Sequence, residues 1–212
     1  LKNLEHLYTR MSLWQELLEN LQKQIALVEG ESDEGEIFAK MAGVAGEQLD
    51  RPDEAIEYWT EVLSRSQSDS NALNALEDLY QRTESWRELV DILERQVTLA
   101  PGESHREQQL YEKLASIWGE KLDREEKAID NWKRVLQFEP EHEHARWSLL
   151  GLFERSERHA EFVEMGLALL PSLAAGADED LALTRKLARC ASDELEDAER
   201  AISLWSRLLE NG

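Results

Sequence analysis

The sequence predicts an all-α solenoid, a row of stacked helix pairs, on three observations. Its side-chain pattern repeats about every 72 residues, its apolar residues recur at three- and four-residue steps, and no stretch alternates at period two for long enough to make a strand. Leu4, Glu5, Tyr8, Arg10, Trp14, Leu17 and Leu21 return as Leu76, Glu77, Tyr80, Arg82, Trp86, Leu89 and Leu93. A weaker third copy comes in Leu149, Leu150, Phe153, Arg155, His159, Phe162 and Gly166. Between these copies runs a second pattern. Leu49, Ala55, Ile56, Trp59 and Leu63 return as Leu122, Ala128, Ile129, Trp132 and Leu136, then as Leu195, Ala201, Ile202, Trp205 and Leu209. Each period thus holds two related units of about 36 residues, and in such arrays each unit packs on its neighbours.

The apolar spacing predicts twelve helices, near 1–11, 14–28, 34–48, 53–66, 70–82, 86–99, 105–121, 125–138, 142–155, 159–170, 179–193 and 197–210. Their boundaries have chemical causes. Pro52 sets φ at the start of the fourth helix, and Asp53 and Glu54 after it complement the free amides. Ser70, between Asp69 and Asn71, is expected to cap the fifth. Pro101-Gly102 and Pro140 end the sixth and eighth, because proline removes an amide and restricts the residue before it. Gly176 punctuates the last long linker. Acidic clusters precede three first helices: Glu31, Asp33, Glu34 and Glu36; Glu139, Glu141 and Glu143; Asp178, Glu179 and Asp180. At those places carboxylates favour the helix dipole by about 0.3–1 kcal/mol each.

Composition narrows the function. The 212 residues are 42% hydrophobic and 33% charged, which suits thin layers that expose much surface. A net charge of −21 argues against nucleic acid and anionic membrane surfaces, since both need a basic stripe. No apolar run approaches the roughly 18 residues of a membrane span. Cys190 is the only cysteine, so no disulfide forms within the chain; it is expected to be a small buried residue in a reducing, cytoplasmic setting. The chain begins without Met and, by pattern, inside a helix, so it is expected to be part of a longer protein.

These residues resemble the tetratricopeptide repeat. Leu73, Leu76, Glu77, Tyr80, Leu89, Leu93 and Pro101 fall at the intervals of that family's pattern, and Ala128, Trp132 and Pro140 supply its last three steps in the next unit. Ala55 with Trp59, and Ala201 with Trp205, repeat the Ala and aromatic steps. The related half-a-tetratricopeptide repeat also carries Trp-rich helix pairs, but the Ala, aromatic and Pro steps fit the former better. The resemblance implies a right-handed superhelical solenoid covering the whole chain as one array, with units near 1–30, 31–68, 69–102, 103–141, 142–175 and 176–212. It departs from the family where a small residue is usual: Glu5, Glu77 and Leu150 stand there, and Leu17, Leu89 and Phe162 hold the family's Ala place. Bulk at those positions predicts wider helix packing in the odd units and tighter packing in the even ones.

Catalytic patterns are missing: no glycine-rich phosphate loop, no His-Glu-x-x-His, no Gly-x-Ser-x-Gly, no Cys-x-x-Cys. His142 and His144 diverge at a helix start and lack a third metal ligand. Trp59, Trp132 and Trp205 read as packing residues, like Trp14 and Trp86. The resemblance implies a non-catalytic protein-interaction scaffold, without cofactor or metal, that binds a protein or peptide through the concave face of its first helices. By register that face carries Arg10, Asn74, Asp78, Arg82, Trp147, Arg155, Arg185 and Arg189. Arg10, Arg82 and Arg155 share one place in three units, where they either bind acidic groups of a ligand or pair with carboxylates of neighbouring repeats. The alternative reading is an architectural spacer, or a regulatory array serving a catalytic or effector domain elsewhere. The apolar face of the last helix, with Ile202, Leu204, Trp205 and Leu208, predicts self-association through the array ends.

Overall fold

The computed structural model describes residues 2–27, 30–102 and 104–211, with the side chains of residues 2, 3, 31 and 32 set aside. Every regular element among the described residues is helical. They fall into two compact units, Leu1–Pro101 and Gly102–Gly212. The first holds α1 (Lys2–Arg10), α2 (Trp14–Ile25), α3 (Glu31–Gly43), α4 (Pro52–Arg65), α5 (Ser70–Arg82) and α6 (Trp86–Leu99). The second holds α7 (Ser104–Ser116), α8 (Glu125–Phe138), α9 (Glu143–Arg155), α10 (His159–Leu169), α11 (Asp178–Asp193) and α12 (Ala198–Asn211). Within each unit the helices pack mainly on those next to them in sequence, as a stack of hairpins requires.

In the first unit, Leu17, Leu18 and Leu21 of α2 meet Ile37 and Met41 of α3, while Val62 and Leu63 of α4 meet Ala72, Leu73 and Leu76 of α5. The second unit has one continuous core running from Ile129 and Trp132 through Leu149, Phe153, Phe162 and Leu187 to Leu204. Each such side chain, once buried, contributes about 1.5–3 kcal/mol. The recurring tryptophans belong to this packing where a following helix covers them: Trp132 is buried and Trp59 half-buried.

Helix starts fall within one residue of the expected ones except at α3, which opens at Glu31 rather than 34. The acidic residues expected to precede α3 and α11 therefore lie inside those helices, and the cap of α5 also differs from expectation. Pro52 opens α4 as expected. The cap of α5 is Asp69 and not Ser70: its Oδ1 accepts the amide N–H groups of Asn71 and Ala72, both at 2.9 Å. A carboxylate one residue earlier reaches two free amides, while Ser70 is already the first residue of the helix. At the matching place before α9 stands His142, whose Nδ1 accepts from Ala145 N–H at 3.2 Å and whose Nε2 lies 2.9 Å from Glu112. His144 turns elsewhere and meets Trp132 edge-on, ring centroids 5.0 Å apart.

The hairpins are of two kinds. In α3/α4 and α7/α8 the first helix widens into a π-turn, over Val44–Gln48 and Ile117–Lys121. There a Cβ added to Gly46 would lie 3.2 Å from Ala55 Cβ, and one added to Gly119 3.3 Å from Ala128 Cβ. Glycine against alanine brings the two backbones close, as it does nowhere in α1/α2 or α5/α6. Those two hairpins carry a polar bridge instead: Gln24 Nε2 donates to Glu5 at 3.3 Å, and Gln96 Nε2 to Glu77 at 2.8 Å. All six hairpins turn on a non-glycine residue in left-handed conformation, φ 50–55°: Ser12, Asp50, Glu84, Asp123, Glu157 and Glu196. The turn satisfies an orphan carbonyl, as where Ser85 N–H donates to Tyr80 O at 2.9 Å.

Candidate functional site

The sequence pattern changes most in the third odd hairpin, α9/α10. Leu150 stands where Glu5 and Glu77 stand in the other copies, and Leu169 where Gln24 and Gln96 stand; both leucines are buried. An apolar pair has thus replaced a polar bridge. Two further exchanges lie on the same face of α9. Trp147 occupies the place of Asn74, and Gly151 the place of Asp78.

Together these exchanges line a cleft of about 590 Å³ between α9 and α11. Its apolar walls are Leu150 and Phe162 on one side and Leu173, Ala182 and Leu183 on the other, with Trp147 half-buried at the edge. Gly151 lies in the wall, and a Cβ built on it would meet no atom within 4 Å. No turn, positive φ or close approach demands glycine there, although in mid-helix it costs about 1 kcal/mol against alanine. The polar part of the lining is acidic. Lys186, the one cation among the described lining residues, is held by Glu154 at 2.7 and 3.0 Å. Glu143 and Glu179, near the starts of α9 and α11, have no ion pair among the described residues.

The matching place in the first unit is closed by charge. Lys40, which corresponds to Lys186, reaches across from α3 to Glu5 of α1 at 2.6 Å, and Gln24 donates to the same carboxylate. Leu150 cannot receive such a bridge, so Lys186 turns to Glu154 one helical turn onward and the floor beneath stays apolar.

One of the predicted site residues belongs to this cleft. Trp147 lines it. Arg189 borders a neighbouring depression of about 250 Å³, and Arg185 is exposed on the same helix. Arg155 is directed to Glu125 at 3.1 Å and Arg82 to Asp50 at 3.3 Å, so each reaches back to the preceding hairpin. Such pairs, with more than half of each arginine exposed, contribute about 0–1 kcal/mol. Arg10, Asn74 and Asp78 lie in the first unit, Arg10 and Asn74 exposed at its surface. Pattern reading took Glu143 and Glu179 for helix-start acids and passed over Gly151 and Leu173; the signals present were the exchanges of Glu5 and Glu77 for Leu150 and of Asp78 for Gly151.

Cys190 is half-buried rather than buried, because it sits at the rim of the smaller depression, its Sγ 3.6 Å from His159 Nδ1. Burial pushes its thiol above the ordinary value, and Glu194, Asp193 and Glu154 add to that. A thiolate is thereby disfavoured despite the nearby imidazole. Among the described residues no group of three His, Cys, Asp or Glu side chains is placed to hold a metal ion, and no helix is long and apolar enough to cross a membrane.

The tetratricopeptide repeat profile matches residues 1–34 and 72–107, which cover the first hairpin and all of the third but Ser70 and Asn71. Among solved structures, MamA of strain AMB-1 is 14% identical, with 84% of this chain and 92% of that one covered at a TM-score of 0.52, which shows the fold. YrrB, a tetratricopeptide protein with an unusual peptide-binding site, is 15% identical over 91% of this chain and 92% of that one, at a TM-score of 0.49. A tetratricopeptide repeat protein from Parabacteroides merdae is 12% identical over 99% of this chain and 78% of its own, at 0.48. No curated protein sequence matches this one.

Proposed function

We propose, from the premise that the chain is built of tetratricopeptide-like repeats, that it is a non-catalytic scaffold that binds a protein segment between its first helices. The observation that carries this reading is the α9/α11 cleft. It is apolar-walled, large enough for two or three side chains, and open where the corresponding place in the first unit is bridged by Lys40 and Glu5. Trp147 is the aromatic anchor at its edge. Arg155, Arg185 and Arg189 are proposed contacts in the same unit as the cleft, and Arg10, Asn74, Asp78 and Arg82 proposed contacts in the first unit. Arg82 and Arg155 would have to leave Asp50 and Glu125 to take part.

Gly151 lies in the cleft wall with open space at its Cβ position, so a leucine there occupies the cleft. Random dodecapeptides displayed on phage should therefore enrich on the chain and not on Gly151→Leu. Equal enrichment on both, or none on either, removes the cleft as the binding site. An architectural spacer, the competing reading, predicts no enrichment.

A second association is favoured by two exposed apolar helix faces, on α1 and on α12. Ile129 and Trp132 of α8 are 0% and 3% exposed beneath α9, yet Ile202 and Trp205, at the same places on α12, are 67% and 39% exposed. Leu4 and Leu7 of α1 are likewise exposed, while Leu149 and Leu152 at those places on α9 are buried against α8. A second copy's α1 matches α12 as α9 matches α8. Sedimentation should show reversible association that Ile202→Glu abolishes; a monomer at every concentration would refute it.

A further inference from the structure

The cleft is apolar in its walls and negative at its rim, and that combination specifies a ligand. We infer that the α9/α11 cleft selects a segment in which a lysine or arginine stands beside a bulky apolar side chain; this rests on the reading of the cleft as the binding site. The apolar side chain enters between Leu150, Phe162 and Leu183, where it leaves water for an apolar surface already built. The cation meets Glu143 and Glu179, whose charges no cation among the described residues neutralises, beside the face of Trp147. Lys186 does not oppose it, since Glu154 already neutralises that ammonium.

An acidic segment is disfavoured for the same reasons. It would bring carboxylates against these two glutamates, in a chain of net charge −21 whose field repels anions from a distance. The exposed arginines of α11 lie outside the lining of this cleft, so they do not reverse its sign.

The test is the composition of the dodecapeptides enriched on the whole chain. Lys or Arg within two positions of Leu, Ile, Phe or Trp should dominate. One such peptide, made synthetically, should bind about tenfold more weakly to the Glu143→Gln/Glu179→Gln variant, as loss of two partly exposed charge contacts would give. The same variant should bind a Lys/Arg→Gln version of the peptide no worse than the parent chain does. Enrichment of acidic or uncharged sequences, or an unchanged affinity in the double variant, overturns the cationic preference while leaving the cleft as a peptide site. Absence of any enrichment overturns both.

Discussion

Hairpins α3/α4 and α7/α8 press their helices together over Gly46 against Ala55 and Gly119 against Ala128, whereas α1/α2 and α5/α6 keep theirs apart across Glu5–Gln24 and Glu77–Gln96. Close backbone approach needs the absence of side chains at the crossing. Where bulk stands there, as Leu17 and Leu89 do, the two helices separate and the space gained has to be filled. A glutamate and a glutamine fill it while satisfying each other, at the cost of burying polar atoms. In the α9/α10 hairpin Leu150 and Leu169 replace that pair. The groove loses its cross-bridge there and gains an apolar floor. The even hairpins α3/α4 and α7/α8 are thus closely packed and the odd ones wider, and it is in a wider one that the exchanges lining the cleft occur.

The tight hairpins can be broken most severely at α11/α12, where Ser192 stands in place of the glycine. Here Asp180, 1% exposed, accepts from Gly176 N–H at 3.0 Å and from Arg207 at 2.9 Å, and ties the start of α11 to α12. Asp180→Ala should destabilise this hairpin by about 3 kcal/mol, seen as loss of amide-exchange protection confined to α11 and α12. Burial pushes the Asp180 carboxyl up, but its hydrogen bonds with Gly176 and Arg207 outweigh this and hold it below the usual carboxylate range. With the folded value depressed, its contribution is complete above the unfolded value of about 3.9 and is lost as pH falls through the folded one. Asp180→Asn should flatten that acid limb of the stability curve.

A sharper contrast lies between two glycines. Gly119→Val puts methyl groups into the Ala128 contact and should cost about 2 kcal/mol, while Gly151→Ala, facing open space, should add about 0.5–1 kcal/mol. Urea unfolding of both variants checks the sign as well as the size. If both lose stability alike, Gly151 has a packing role and the two hairpin kinds are not distinguished by this contact.

The polar bridge of the wide kind is smaller in effect. Gln96→Leu should cost about 1–2 kcal/mol by depriving the Glu77 carboxylate of its amide donor, and a cycle with Glu77→Leu should return a coupling near 1 kcal/mol. Zero coupling would mean that Leu89 and Leu93 alone set the spacing. Smallest is the turn: Glu84→Gly relieves a left-handed glutamate and should stabilise α5/α6 by about 0.5–1 kcal/mol, read from the thermal midpoint.

Much of the fold was legible because helical periodicity is a property of the chain itself. The spans 70–82, 86–99 and 125–138 coincide with α5, α6 and α8. Expected helices 34–48 and 105–121 end where the structure ends them, the first opening three residues earlier at Glu31, but they hid the π-turns, since Gly46 and Gly119 are spaced as in any helix and only their partners Ala55 and Ala128 reveal the close crossing. The expected second helix, 14–28, closes at Ile25, with residue 28 outside the described set. The site was harder to read. Trp147 stood out by its register on a first helix, but the register of Arg10, Arg82 and Arg155 left open whether they pair with neighbouring repeats and did not point to Asp50 and Glu125, the carboxylates of the preceding hairpin that two of them reach. The cleft depends on what is small or missing, at Gly151 and Leu150, and absence of bulk carries meaning only once the neighbouring helix is in place.

The binding cleft is tested most directly by the indole N–H resonances of the seven tryptophans, assigned by single Trp→Phe changes, while an enriched peptide is added. The signal of Trp147 should move or broaden in step with binding, and those of Trp59 and Trp132, engaged in packing, should stay in place. Movement of Trp14, Trp59 or Trp132 with Trp147 unmoved would put the ligand elsewhere and contradict the cleft.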